Sequence, residues 1–181
     1  MANRIGEIPV TNKLENYDTV KALYDRAFPV SEKFPYWIIR LMSLRKGFEY
    51  TAYFDDGLFC GLSYVISNDS DAFILYLAVN DKIRSKGYGT AILENIKEKH
   101  PGKQIVLNVE PLDNHADNQV QRQKRIKFYE NNNFSVTGYG METGGDRYWI
   151  MSNKLDFDKA RFRKVIARLS FGFAIPKIEK I

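Results

Sequence analysis

The chain has 181 residues, 44% of them hydrophobic and 14% aromatic, and a net charge of +5 from 27 Lys and Arg against 22 Asp and Glu. That length suits one domain with a substantial core, and no apolar run approaches the roughly 20 residues that cross a bilayer. The opening Met-Ala-Asn-Arg-Ile-Gly-Glu has no secretory pattern, so a cytoplasmic protein is expected. The single cysteine, Cys60, has no internal disulfide partner and reads as core within the apolar run Leu58-Phe59-Cys60-Gly61-Leu62. His100 and His115 have no Cys or His at ligand spacing, which argues against a metal and leaves both as expected surface residues. The positive balance favours an anionic partner without choosing among a phosphorylated cofactor, nucleic acid and an acidic membrane surface.

Residues 18–28 place Val20, Leu23, Tyr24 and Ala27 at helical spacing, and Pro29 closes the segment. A second apolar stretch opens at Phe34-Pro35-Tyr36-Trp37 and continues as a helix through Leu44, ending near Gly47. Strands are expected over residues 48–54, 58–66 and 73–79, the first two joined by the hairpin signal Asp55-Asp56-Gly57. Next comes a helix in which Tyr88, Ala91, Ile92 and Ile96 share a face, with Lys97, Lys99 and His100 suiting its C-terminal dipole and Pro101-Gly102 ending it. A strand over residues 105–109 follows, and the strand, helix, strand order predicts a parallel pair.

Residues 112–117 read as a polar loop and residues 118–131 as a helix capped by Asn118. Two closing strands, near residues 135–141 and 147–151, flank the turn Gly144-Gly145-Asp146. Residues 158–170 carry the stripe Phe162, Val165, Ile166 and Leu169, with Lys159, Arg161, Arg163, Lys164 and Arg168 largely elsewhere. This amphipathic helix is expected to pack on its own domain or on a second subunit, a homodimer being one arrangement; nucleic-acid or membrane binding is the weaker reading. The elements give an α/β (α+β) three-layer domain with a central, mixed, mostly antiparallel sheet and helices on both faces. Residues 1–155 form the main domain and residues 156–181 an appended helix and tail.

The most informative segment is Leu77-Ala78-Val79-Asn80-Asp81-Lys82-Ile83-Arg84-Ser85-Lys86-Gly87-Tyr88-Gly89-Thr90, a strand leading through a basic, glycine-bearing turn into a helix. Unpaired N–H groups and the helix dipole suit a diphosphate over residues 84–90, and Gly87 and Gly89 let backbone approach phosphate. The pattern lacks the Lys-Ser/Thr of a Walker loop and the three-glycine spacing of a dinucleotide fingerprint. Downstream stands Phe128-Tyr129-Glu130-Asn131-Asn132-Asn133-Phe134.

Together these residues resemble the GNAT superfamily of N-acetyltransferases. Arg84, Gly87 and Gly89 match its Arg-x-x-Gly-x-Gly helix start, and Tyr129, Glu130 and Phe134 match its Tyr-Glu-x-x-Gly-Phe-like segment; the resemblance covers residues 73–151. It implies a GNAT-like domain, acetyl-CoA as cosubstrate, no metal and an amine acceptor. The backbone amides of Arg84, Ser85, Lys86, Gly87, Tyr88, Gly89 and Thr90 would hold the pyrophosphate. Leu77, Ala78 and Val79 would pair with the pantetheine arm, and Tyr129 would lie near the thioester sulfur. Two departures from the family stand out. Asn133 replaces its glycine, and Arg122 and Arg125 stand seven and four residues before the tyrosine, where Asn and Ala are common. Asn118 is the substitute pantetheine contact.

An acceptor alkylammonium of pKa about 10 must lose a proton before it attacks. Glu110, at a strand end and fixed by Pro111, is the candidate base, with an ion pair to Arg122 or Arg125 as its structural alternative. A backbone N–H of the strand at Leu77 to Val79 would meet the developing oxyanion, and Tyr129 would serve the departing thiolate. Arg125, one turn before Tyr129, is expected to lower the tyrosine pKa and so ease that proton transfer. The alternative of another class is a non-catalytic acyl-CoA-binding sensor or scaffold.

Overall fold

The structure is a computed structural model that describes residues 5–83, 86–169 and 176–181. Contacts divide the chain into two compact units, Met1–Ile66 with Ile74–Pro101, and Ser67–Phe73 with Gly102–Ile181.

The first unit holds strand β1 (Gly6–Pro9), helices α1 (Tyr17–Ala27) and α2 (Tyr36–Met42), and strands β2 (Phe48–Asp55) and β3 (Leu58–Ser67). Strand β4 (Asp71–Val79) contributes its residues 74–79, and helix α3 (Tyr88–Lys99) follows. The strands adjoin in the order β1-β2-β3-β4. The expected hairpin forms: β2 and β3 run antiparallel, and Asp56 and Gly57 both take positive φ, 46° and 82°, as a two-residue primed turn requires. Strands β2 and β3 are buried almost throughout, which fits near-continuous apolar runs rather than alternation. Strand β1, four exposed residues pairing antiparallel with β2, was not expected from the sequence.

Buried phenols seek hydrogen-bond partners, and three of them here find the backbone between and within the first two helices. Tyr24 Oη donates to Phe34 O at 2.8 Å, Tyr76 Oη donates to Glu32 O at 2.8 Å while accepting from Phe34 N, and Tyr64 Oη donates to Ile39 O at 3.1 Å. Helix α3 buries Ala91, Ile92, Leu93 and Ile96. Gly61 on β3 is forced by packing: a Cβ there would lie 2.4 Å from Ala78 O and 2.9 Å from Ile92 Cδ1. The expectation for His100 is corrected, because it is buried. Its N–H caps the end of α3 on the Ile96 and Lys97 carbonyls, and its Nε2 lies 3.4 Å from Glu49 Oε1.

The second unit holds residues 71–73 of β4, then β5 (Gln104–Val109), α4 (Gln119–Asn131), β6 (Ser135–Thr143), β7 (Asp146–Ser152), α5 (Lys159–Leu169) and β8 (Lys177–Lys180). Gln104 N donates to Ser70 O at 3.1 Å, so β4 and β5 start side by side as a parallel pair does. Beyond β5 the order is β5-β7-β6-β8, antiparallel throughout. The β6–β7 turn uses positive φ at Gly144 and Gly145. Strand β8, like β1, is short and was not expected.

The apolar stripe of α5 packs on its own chain. Phe162, Val165 and Ile166 are buried, and Phe162 meets Phe73 edge to face with centroids 5.4 Å apart. Beside it Asp71 is fully buried, taking hydrogen bonds from Ser70 Oγ (2.6 Å) and Gln104 Nε2 (2.7 Å), with Arg161 Nε at 3.3 Å. Ser170, the last residue of the expected helix, lies outside the described residues.

Candidate active site

The first group of site residues lies where β4 ends and α3 begins. Asn80 turns the chain out of the strand: its N–H donates to Cys60 O (2.8 Å), its Nδ2 to Phe59 O (2.9 Å), and its Oδ1 accepts from Lys82 N (3.2 Å). Asn80 was not among the expected site residues, although an Asn at the end of an apolar strand and ahead of a basic turn is a recognisable turn former. Arg84 and Ser85 lie outside the described residues. Lys86 and Gly87 are exposed, and Gly87 is the left-handed N-cap of α3 at φ 79°, ψ 3°.

The N-cap Gly87 has no side chain to offer α3, and Ala91 N donates to Gly87 O, so the amides of Tyr88, Gly89 and Thr90 precede the helical ladder at the positive end of the dipole. A Cβ at Gly87 would meet nothing within 4 Å among the described residues, so it is the left-handed φ and not crowding that calls for glycine there. Tyr88 offers only its main chain, because its phenol donates to Asp55 Oδ2 at 2.8 Å; that hydrogen bond keeps the proton on the phenol and pushes its pKa up to about 12. Leu77 and Val79 are half-buried and Ala78 is buried. Cys60 is core, as expected: burial pushes its thiol pKa up, and Sγ donates to Leu58 O.

The second group surrounds the end of β5 and one side of α4. Glu110 pairs with both arginines: Oε1 accepts from Asn118 Nδ2 (3.1 Å) and lies 3.1 Å from Arg122 Nη2, while Oε2 accepts from Arg125 Nη1 (2.9 Å). Arg122 is also bound to Asn118 Oδ1 and Pro111 O, whereas the Arg125 side chain is 49% exposed. The expected cap role of Asn118 is corrected. It occupies the N-cap position, but its side chain makes no capping bond and instead joins Glu110 to Arg122.

Tyr129 is buried, its ring 5.1 Å from Phe128 and edge-on to Phe134 at 6.1 Å. Its place at the end of α4 is fixed by a Schellman closure in which Phe134 N donates to Tyr129 O and Asn133 N to Glu130 O, with Asn133 at φ 62°. Asn133 thus does what the glycine of the resembled motif does. The Tyr129 pKa corrects an expectation. Burial pushes it up to about 12, and the opposing pull of Arg125 is the smaller effect.

A shallow groove of about 460 Å³ lined by Gln123, Lys124, Lys127, Phe128 and Asn131 contains none of the expected site residues. Among the described residues, no group of three or more His, Cys, Asp or Glu is placed to hold a metal ion.

Comparison with known proteins bears on both groups. The chain is similar in fold to a GNAT-family acetyltransferase from Bacteroides thetaiotaomicron, with a TM-score of 0.75 at 23% identity over 93% of this chain and 99% of that one. It is similar to a GNAT-family acetyltransferase from Elizabethkingia anophelis solved with acetyl-CoA bound (TM-score 0.56, 12% identity, 83% of this chain and 97% of that one). It is also similar to the ribosomal-protein-S18-alanine N-acetyltransferase of Escherichia coli (TM-score 0.58, 17% identity, 85% and 96%). No curated protein matches the chain by sequence. The family description "Acetyltransferase (GNAT) domain" matches residues 46–136, just over half of the chain, and so takes in both the α3 start and Tyr129. The chain therefore belongs to the GNAT acetyltransferase family.

Proposed function

We propose that the protein is an acetyl-CoA-dependent N-acetyltransferase that transfers the acetyl group to a primary amine of a small molecule or peptide by direct attack in a ternary complex. The observation that carries this reading is the start of α3: a left-handed N-cap Gly87 without a side chain, and the amides of Tyr88, Gly89 and Thr90 preceding the ladder beside the exposed Lys86. Such a start fits a diphosphate. The acetyl-CoA in the Elizabethkingia structure and the alanine acceptor named for the Escherichia coli enzyme support the cosubstrate and the amine, not a particular acceptor.

Acetyl-CoA, when bound, supplies an acetyl group activated as a thioester. In the proposed site Lys86 and the amides from Gly87 to Thr90, with Arg84 and Ser85, hold the pyrophosphate. Main-chain groups of Leu77, Ala78 and Val79 align the pantetheine arm, and Asn118 contacts it. Glu110 takes the ammonium proton of the acceptor. For that it must release a cation, and Arg125, the more exposed of its two partners, is the one to leave. As the amine adds and the carbon–sulfur bond breaks, the Tyr129 phenol donates a hydrogen bond to the sulfur, which ends as a thiol with the second proton of the amine.

Thiol release from acetyl-CoA with a panel of amines and peptide N-termini tests the reading. The expected result is acceptor-dependent release. Saturable CoA binding with no release for any acceptor would favour the non-catalytic module instead. Glu110→Gln separates base from ion pair: loss of a base lowers turnover with every acceptor while CoA binding persists, whereas loss of an ion pair alone lowers stability and leaves turnover near that of wild type.

A further inference from the structure

Helix α2 is apolar on two sides. Its inner side is fixed: Ile39 and Met42 are buried, the Ile39 carbonyl accepts from Tyr64, and Arg40 donates to Val10 O and Asn12 Oδ1. Its outer side carries Trp37, Leu41 and Leu44, which recur by four and three residues along one face; Leu44 belongs to the turn that continues the helix, its N–H donating to Leu41 O. These three are 67%, 60% and 78% exposed. A helix ordinarily buries such a stripe, and a fixed stripe left open marks an interaction surface.

The charges around it identify the partner. Residues 30–46 hold Lys33, Arg40, Arg45 and Lys46 against one acid, Glu32. Arg40 is turned inward and Lys33 Nζ donates to Asp25 O, so the cations next to the stripe are Arg45 and Lys46, which follow Leu44 directly in the chain. Arg45 lies over the Phe48 ring at 4.5 Å, and Lys46 is exposed. A tryptophan and leucines bordered by cations match the interface of an anionic bilayer, where apolar side chains enter the headgroup boundary and basic ones meet the lipid charge.

We propose that α2 docks the protein peripherally on an anionic lipid surface, with Trp37, Leu41 and Leu44 entering the headgroup region. A second copy fits the face less well. Three side chains on a short helix fall short of the roughly 800 Å² per partner of a stable interface, and pairing would bring two basic rims together. Spanning is a separate matter: among the described residues no helix is long and apolar enough to cross a membrane.

The test uses the full chain carrying Trp149→Phe, which leaves Trp37 as its only tryptophan. It is sedimented with vesicles of phosphatidylcholine alone or of an equimolar mixture with phosphatidylglycerol, and Trp37 emission is recorded. Cosedimentation with the anionic vesicles only, a blue shift, and an apparent affinity at least about 10-fold weaker for Leu41→Asp are expected. Because Leu41 is exposed, that variant should keep its thermal midpoint and CoA binding. If it does not fold, Leu44→Ser serves in its place. The proposal is overturned by no binding to anionic vesicles, by equal binding of the variant, or by self-association that the same substitution abolishes while vesicles are ignored.

Discussion

Removing the Tyr129 hydroxyl as Tyr129→Phe should lower turnover by an amount that the tyrosine's surroundings set. Burial holds the phenol at a pKa of about 12, and Arg125 offsets only part of that rise. A thiol of pKa about 8.5 lies some 3.5 units lower, so complete proton transfer from Tyr129 to the departing thiolate is uphill by roughly 5 kcal/mol. In the proposed mechanism the phenol therefore serves as a hydrogen-bond donor to the sulfur rather than giving up its proton. A hydrogen bond to a charged acceptor contributes about 1.5–3 kcal/mol, or about 10- to 150-fold in rate. The assay is acetyl-CoA-dependent thiol release, with a burst measurement to establish that chemistry limits turnover. CoA affinity should be nearly unchanged, and the wild-type rate should show no alkaline loss due to Tyr129 below about pH 11, since its phenol stays protonated to about 12. Normal turnover in the variant with chemistry rate-limiting, or an alkaline limb near pH 9 that disappears with the hydroxyl, would refute the reasoning.

Gly61→Ala should destabilise the fold by about 1–3 kcal/mol, because its Cβ would meet the Ala78 carbonyl and Ile92; urea midpoints at constant slope check this. Arg161→Ala should cost about 1–3 kcal/mol in the same assay by leaving the buried Asp71 short of a partner. Alkaline stability should fall as pH rises through about 10. Tyr24, Tyr50 and Tyr64 have phenol pKa values raised by burial, so the unfolded chain releases protons that the native state keeps, and stability complete below pH 10 is lost above it. Urea midpoints at pH 8 and pH 11 that coincide would contradict this.

The features legible in the sequence are those with local causes. Asp55-Asp56-Gly57 specified a turn that needs positive φ at two positions, and Gly87 and Asn133 marked a helix start and a helix end that need it at one. Strands β1 and β8 escaped notice because four residues such as Gly-Glu-Ile-Pro or Lys-Ile-Glu-Lys carry too little period; pairing to β2 and β6 makes them strands. In the site, Glu110 and its arginines were named, but the choice between base and ion pair turns on where α4 puts Arg122 and Arg125. Asn118 has a capping residue type, yet Glu110 and Arg122 claim its side chain. The Tyr129 pKa was misjudged because helical spacing shows its neighbour Arg125 but not its desolvation, which is the larger effect.

The central claim is that the start of α3 holds the diphosphate of CoA, and calorimetric titration of CoA into wild type and Gly87→Glu tests it most directly. Nothing lies within 4 Å of a Cβ at Gly87, so the substitution strains the left-handed backbone without a clash and sets a carboxylate before the amides of Tyr88, Gly89 and Thr90. Saturable binding by wild type is expected, weakened by at least about 10-fold in a variant that still folds, given about 1–2 kcal/mol of backbone strain. No heat at millimolar CoA, or equal affinity of the two proteins, would contradict the account.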